Sequence, residues 1–233
     1  MTGQTVQQLT LNVHLRDDAT LENYLPLAEA EVLLRSLQEQ LLPSGEPIIF
    51  VHGPLDSGRT HVLQAACHLA GADAQYLPLA ELQAYPPADV FQGIETLKLV
   101  CLDDLQTVLG QPDWEQELFH LFNRARDNQC RLLVSADAAP RALGVSLADL
   151  RSRLGWGIVY RLPAISDEQR EQLLVFRASR RGLQLAPEVA SYIVSRAPRA
   201  MDSLLDLLDT LDRASLAQQR PLSIPFVKAT LGW

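Results

Sequence analysis

Residues 53–60, Gly53-Pro54-Leu55-Asp56-Ser57-Gly58-Arg59-Thr60, have the spacing of a phosphate cradle: glycine, four residues, glycine, a cation and a hydroxyl. Glycines let backbone N–H groups turn toward a pyrophosphate, and the N-terminus of a following helix adds about half a positive charge. The Thr60 hydroxyl is the group that would meet Mg²⁺. The cation is arginine where the pattern has lysine. A guanidinium keeps the charge but is longer and planar, so it should fit a γ-phosphate poorly. The segment therefore points to nucleotide binding and counts against ordinary ATP hydrolysis. The plainer alternative is a glycine-rich turn that only joins a strand to a helix.

Asp103-Asp104 follows the apolar run Leu97-Lys98-Leu99-Val100-Cys101-Leu102. A carboxylate at a strand end can hold Mg²⁺, directly or through water, and a second can orient an attacking water. Asp103 is the candidate for the first role and Asp104 for the second. Alone, the pair could equally be a turn or a helix cap. Its place about 45 residues after a phosphate loop favours the metal role.

These groups need a scaffold of strands and helices to meet. Pro47 to His52 reads as a buried strand before the loop, and Thr60 to Ala70 as the helix after it. Glu29 to Leu42 has helical spacing, with Val32, Leu33, Leu37 and Leu41 on one side. Strands are expected at Gln75–Leu79, Leu97–Leu102, Arg131–Ser135 and Ile158–Tyr160, and helices at Trp114–Asp127 and Ser146–Leu154. Alternating strands and helices predict an α/β fold with a parallel sheet. After Ser166 the strands stop. Ser166 with Gln169 forms a capping-box start for a helix to about Arg180, which Gly182 ends. Further helices are expected at Pro187–Arg196, at Arg199–Ala217, and from Ser223 and Pro225 onward. The expected organisation is an extended segment over 1–15, an α/β nucleotide-binding domain over 16–163 and a small all-helical domain over 164–233.

Charge is divided along the chain. Residues 1–120 hold 4 Lys/Arg and 17 Asp/Glu, and residues 121–233 hold 16 and 11. An acidic half and a basic half suit head-to-tail association, although two differently decorated surfaces with no partner would look the same. The total of -8 argues against strong autonomous DNA binding. No apolar run is long enough for a membrane span, and the first residues lack the basic, apolar character of a signal peptide. Cys67, Cys101 and Cys130 are odd in number and widely spaced in mostly apolar segments. They read as buried, reduced thiols of a cytoplasmic protein and not as a metal site.

A helical domain after an α/β nucleotide domain with these two motifs resembles the AAA+ class, and within it the DnaA family and its short Hda-type members. Ser152-Arg153 before Leu154-Gly155-Trp156-Gly157 looks like the segment bearing that family's arginine finger. Ser135-Ala136-Asp137 with Pro140-Arg141 looks like its sensor 1 strand end, and Arg199-Ala200-Met201-Asp202 like the start of its sensor 2 helix. Leu211-Asp212-Arg213-Ala214-Ser215 and Ile224-Pro225-Phe226-Val227-Lys228 resemble the Hda lid. Thr20-Leu21-Glu22-Asn23-Tyr24 resembles the segment that meets adenine. Gln8-Leu9-Thr10-Leu11-Asn12-Val13 resembles the clamp-binding peptide of Hda proteins, with Asn12-Val13 where that pattern has Pro-Leu.

The resemblance implies a negative regulator of replication initiation. It would bind the DNA polymerase III sliding clamp (β subunit) through Gln8, Leu9, Leu11 and Val13. It would present Arg153 in trans to ATP-bound DnaA, whose ATP would be the one hydrolysed. It implies ADP or a similar nucleoside diphosphate as cofactor, with Mg²⁺ as a candidate companion ion. The implied nucleotide contacts are Tyr24, Leu25, Gly53, Ser57, Gly58, Arg59, Thr60, His61, Asp137 and Arg199, with Thr60 and Asp103 as metal ligands. Two assignments stay open: Arg151 competes with Arg153 for the finger, and Arg199 either reaches the nucleotide or pairs with Asp202. A homo-oligomer is expected. The rival reading is an AAA+ motor or loader acting by its own ATP turnover.

Overall fold

A computed structural model of the chain describes residues 15–25, 27 and 30–233; the expected clamp segment Gln8–Val13 lies outside them. The chain divides into two compact units, Met1–Pro163 and Ala164–Trp233.

The first unit is built on a five-stranded sheet in the order β2-β3-β4-β1-β5. The strands are β1 (Ile48–His52), β2 (Ala74–Pro78), β3 (Leu99–Asp103), β4 (Arg131–Ala136) and β5 (Ile158–Arg161), and every pairing is parallel. The central strands are continuous apolar runs because both faces are covered, as parallel sheets require. Successive side chains serve opposite cores. Phe50, Val100, Leu102, Leu132 and Val134 enter one cluster, while Ile49, Val51, Leu99, Cys101 and Leu133 enter the other.

Helices α5 (Pro112–Asp127) and α6 (Ala148–Leu154) cover the first face, with the short α3 (Leu79–Leu82) and α4 (Pro87–Val90). Helices α1 (Glu31–Gln40) and α2 (Arg59–Ala70) cover the second. Each fully buried Leu or Phe contributes roughly 1.5–3 kcal/mol of transfer free energy, so the two cores fix the strand ends where the candidate groups stand. Cys67, Cys101 and Cys130 are all buried and free.

The second unit holds α7 (Asp167–Arg180), α8 (Pro187–Val194), α9 (Met201–Gln218) and α10 (Ile224–Leu231). Ser166 and Gln169 form the capping box at the start of α7. Gly182 has φ +75°, the left-handed conformation that stops a helix. Leu174, Ile193, Leu204, Leu208, Leu211 and Phe226 make its core. No helix among the described residues is long and apolar enough to cross a membrane.

Candidate functional site

The carboxyl ends of β1, β3 and β4 carry the first constellation. Gly53 follows β1 and donates its N–H to the Ala136 carbonyl at 3.3 Å. A Cβ at Gly53 would run into the Leu162 carbonyl and come within 2.8 Å of Ser57 Oγ, so only glycine lets the loop pass. Gly58 has φ +90° at the start of α2, a conformation other residues rarely adopt. Ser57 is buried, and its Oγ has no hydrogen-bond partner among the described residues. A tight glycine loop, a helix N-terminus and an orphaned hydroxyl fit a nucleotide phosphate.

Arg59 departs from the expectation that it faces phosphate. It is 7% exposed, and its guanidinium is spent on the protein. One terminal nitrogen donates to the carbonyls of Gly53 and, at 2.9 Å, Ala136. The other lies 2.7 Å from Asp104 Oδ1. Asp104 is held in turn. It has φ +56°, accepts from Gln106 Nε2 at 3.0 Å, and donates its N–H to Ser135 Oγ at 2.9 Å.

Both oxygens of Asp103 are hydrogen-bonded. Its Oδ2 accepts from the Tyr76 hydroxyl at 2.7 Å and its Oδ1 from the Ser135 hydroxyl. Burial and the neighbouring Asp103 carboxylate push the Tyr76 phenol well up, so it stays a donor. Thr60 is exposed. No three His, Cys, Asp or Glu side chains converge among the described residues. Asp103 does not fit a Mg²⁺ ion held directly by carboxylate, because it is buried and hydroxyls bond both its oxygens, while Asp104 is bonded through Oδ1.

Tyr24 lies over the loop: a Cβ at Gly58 would meet its ring at 3.3 Å. Burial pushes the Tyr24 phenol up to about 12. Its ring packs edge-on against His61 at 5.3 Å, and His61 Nε2 bonds the Thr20 carbonyl at 2.8 Å. Leu25 is half-buried beside it in sequence. The structure thus brings Tyr24, His61 and the loop together. Asp137 is exposed just past β4, its N–H donating to Gln106 Oε1 at 3.2 Å. His52, at the end of β1, is held below its usual pKa by burial and by the Arg161 and Arg59 charges.

The second constellation is at the end of α6. Arg153 Nε donates to Asn123 Oδ1 at 3.1 Å. Its guanidinium lies 3.8 Å from the Trp156 ring centre and 5.6 Å from that of Phe119. Its terminal nitrogens make no hydrogen bond or ion pair among the described residues. Arg151, the competitor, commits one terminal nitrogen to the Val145 carbonyl. Arg153 bonds through Nε, which leaves the pair of terminal nitrogens together as the fork it can offer. In the second unit, Arg199 is 85% exposed and 3.9 Å from Asp167. Its alternative pairing with Asp202 assumed helical spacing, but α9 begins at Met201, after Arg199.

Sequence reasoning missed Glu115, which sits on the apolar stripe Trp114–Leu118–Leu121–Phe122 of α5 and is 1% exposed. A carboxylate on such a stripe was the available signal. It accepts from the N–H groups of Gly110 (2.8 Å), Ser146 (3.0 Å) and Leu147 (2.6 Å).

A parallel sheet with a glycine loop of phosphate-cradle spacing after β1, paired acids on β3 and a separate helical unit define a fold of the AAA+ class. Residues 88–161 match the family description of the bacterial DnaA ATPase domain, and residues 167–231 that of the Hda lid domain. An uncharacterized protein of Haemophilus influenzae is 43% identical over 97% of this chain and 98% of its own length. Domain III of Thermotoga maritima DnaA superposes with a TM-score of 0.75 at 19% identity, covering 94% of this chain and 98% of that one. AMPPCP-bound DnaA from Aquifex aeolicus gives 0.69 at 24% identity, covering 85% and 66%. The chain belongs to the DnaA-related AAA+ family, with a lid of the Hda type.

Proposed function

We propose that this chain is a cytoplasmic regulator that lowers the activity of a DnaA-type replication initiator by completing the initiator's ATPase site. Its own nucleotide, ADP or a similar diphosphate, is a structural ligand. The observation that carries this reading is the contrast between Arg59 and Arg153. A self-hydrolysing site needs a free cation at the γ-phosphate and a free carboxylate to orient water. Here Arg59 is bonded to two carbonyls and to Asp104, so both groups are engaged with each other. Arg153 keeps its terminal donors and is steadied by Asn123, Phe119 and Trp156. Such an arginine, offered to a neighbour's γ-phosphate, supplies about 10³–10⁵-fold acceleration. DnaA is the partner in this reading because the chain shares its family. The sliding clamp would be engaged through Gln8, Leu9, Leu11 and Val13, tying the action to ongoing synthesis. Pairing of subunits would raise the affinity of such a short peptide through avidity.

The test is ATP hydrolysis by ATP-bound DnaA with clamp loaded on DNA, with and without this protein, beside turnover by this protein alone. The expected result is strong stimulation of DnaA and negligible turnover alone. Rapid turnover by the pure protein with no effect on DnaA would instead make it a motor or loader.

A further inference from the structure

We infer that Glu115 is the positioning residue for Arg153, holding the start of α6 while Phe119 and Asn123 on the same face of α5 hold its end. The inference rests on the reading of Arg153 as a trans-acting arginine.

Helix α6 has seven residues, too few to stand by itself. Its N-cap position, Leu147, has no side-chain cap of its own. The N–H groups of Ser146 and Leu147 instead donate to Glu115, which also accepts from Gly110. One buried carboxylate thereby ties α5, the turn before it and the start of α6. Residues 115, 119 and 123 recur at helical spacing along one face of α5. The first grips the entry to α6; the other two touch Arg153 near its exit. Leu150 and Leu154 bury one side of α6, and the Glu115 bonds add an anchor at its entry.

The geometry makes tilt matter. Arg153 stands six residues beyond Leu147, about 9 Å along the axis, so a tilt of roughly 6° moves it by about 1 Å. A misplacement of ~1 Å can cost ~10²-fold in rate. Burying a carboxylate is expensive, and an apolar side chain would fill the stripe at less cost if packing alone were needed. Glu115 stays ionised there. Burial pushes its carboxyl up, but the N–H groups of Ser146, Gly110 and Leu147 and the Arg151 charge outweigh that and hold it below the ordinary value.

The experiment titrates the full-length protein into the DnaA hydrolysis assay and reads two quantities: the maximal stimulated rate and the concentration giving half of it. Glu115→Gln keeps the volume but turns an amide toward the N–H donors. It should lower the maximal rate about 10- to 100-fold and leave the half-maximal concentration unchanged. Ser146→Pro removes one of the donors from an exposed position and should give the same split, more weakly. A merely structural role would move both quantities together with loss of melting cooperativity, and that result overturns the inference. So does a full maximal rate in either folded variant. Arg153→Ala in the same assay separates the two failures. If it stimulates normally, the reading of Arg153 falls; if it is inert while Glu115→Gln is fully active, only the positioning role falls.

Discussion

Arg59 opens α2 and Arg153 lies near the end of α6, and the two guanidiniums meet opposite surroundings. Around Arg59 stand acceptors: two main-chain carbonyls and the Asp104 carboxylate. Around Arg153 stand two aromatic rings and one amide oxygen. Charge-assisted hydrogen bonds are roughly twice as strong as neutral ones, and drawing Arg59 out would leave polar groups unserved at about 1–3 kcal/mol each. A cation–π contact at a half-exposed ring is worth only about 0.5–1 kcal/mol, and the Asn123 bond uses Nε, so Arg153 can offer its terminal nitrogens without leaving its place. One side chain type thus serves as a fastener in one place and as a held but available donor in the other. What faces the guanidinium decides which.

The largest effect should come from removing the available one. Arg153→Ala should abolish stimulation of DnaA hydrolysis, a loss on the order of 10³-fold or more, while clamp and nucleotide binding stay as they were. Arg153→Lys should fail too, because an ammonium cannot reproduce the planar fork. Full stimulation by the alanine variant would move the role to Arg151 or end the activator reading.

Next in size is the clamp contact. Gln8→Ala with Leu11→Ala should remove binding to immobilised sliding clamp, read by surface plasmon resonance, with the melting curve unchanged. Undiminished binding would show that the segment Gln8–Val13 is not the docking peptide and that Arg153 reaches its target by another route.

The fastener can be loosened more gently. The protein should bind ADP more tightly than ATP in calorimetric titrations, because a γ-phosphate finds its cation already committed. Arg59→Lys replaces the fork with a single ammonium that can reach phosphate, and should narrow that preference about tenfold, or ~1.4 kcal/mol. Equal affinity of the unaltered protein for both nucleotides would mean that Arg59 leaves its carbonyls as readily as Arg153 leaves its rings, and the contrast would disappear.

Much of this fold is legible in the residues. β1, β3 and β4 are apolar runs because both faces are buried, and the Ser166–Gln169 box and Gly182 mark α7 locally. The helices α3 and α4, four residues each, are too short to show a period, and the sequence reading passed over them. β3 begins at Leu99 and not at Leu97, and the Lys98 N–H before it donates to the carbonyl of Asp73, the residue before β2. The loop and the paired acids were visible as motifs. Their bonding was not, because the Arg59 acceptors include a main-chain carbonyl 77 residues away, which has no sequence signature. The same holds for Asp103, whose hydroxyl partners Tyr76 and Ser135 come from two other strands. Arg153 was found by likeness of its segment. Trp156 belongs to that segment, but Asn123 and Phe119, which also steady it, lie on α5 about 30 residues earlier, and only the folded chain brings them to it.

The smallest effect is a titration, and it reports the position of Arg59 without any nucleotide or partner. His52 precedes the loop, and its pKa is lowered from 6.5 by burial, then by the Arg161 and Arg59 charges. A lowered histidine pKa means that the fold prefers the neutral ring. Between the folded value and 6.5 the unfolded chain binds more protons, so stability rises with pH through that window and is level above it. Below the folded value both states are charged and the full penalty applies. Arg59→Gln removes one of the two repelling charges, so the His52 resonance in an NMR titration should move upward. Arg161→Gln should move it further, since Arg161 is the stronger of the two. The pH-dependence of the melting temperature should flatten in both variants. If His52 titrates identically with and without the Arg59 charge, the guanidinium does not sit against β1. It would then be as free as Arg153, and the two arginines would differ in sequence position alone.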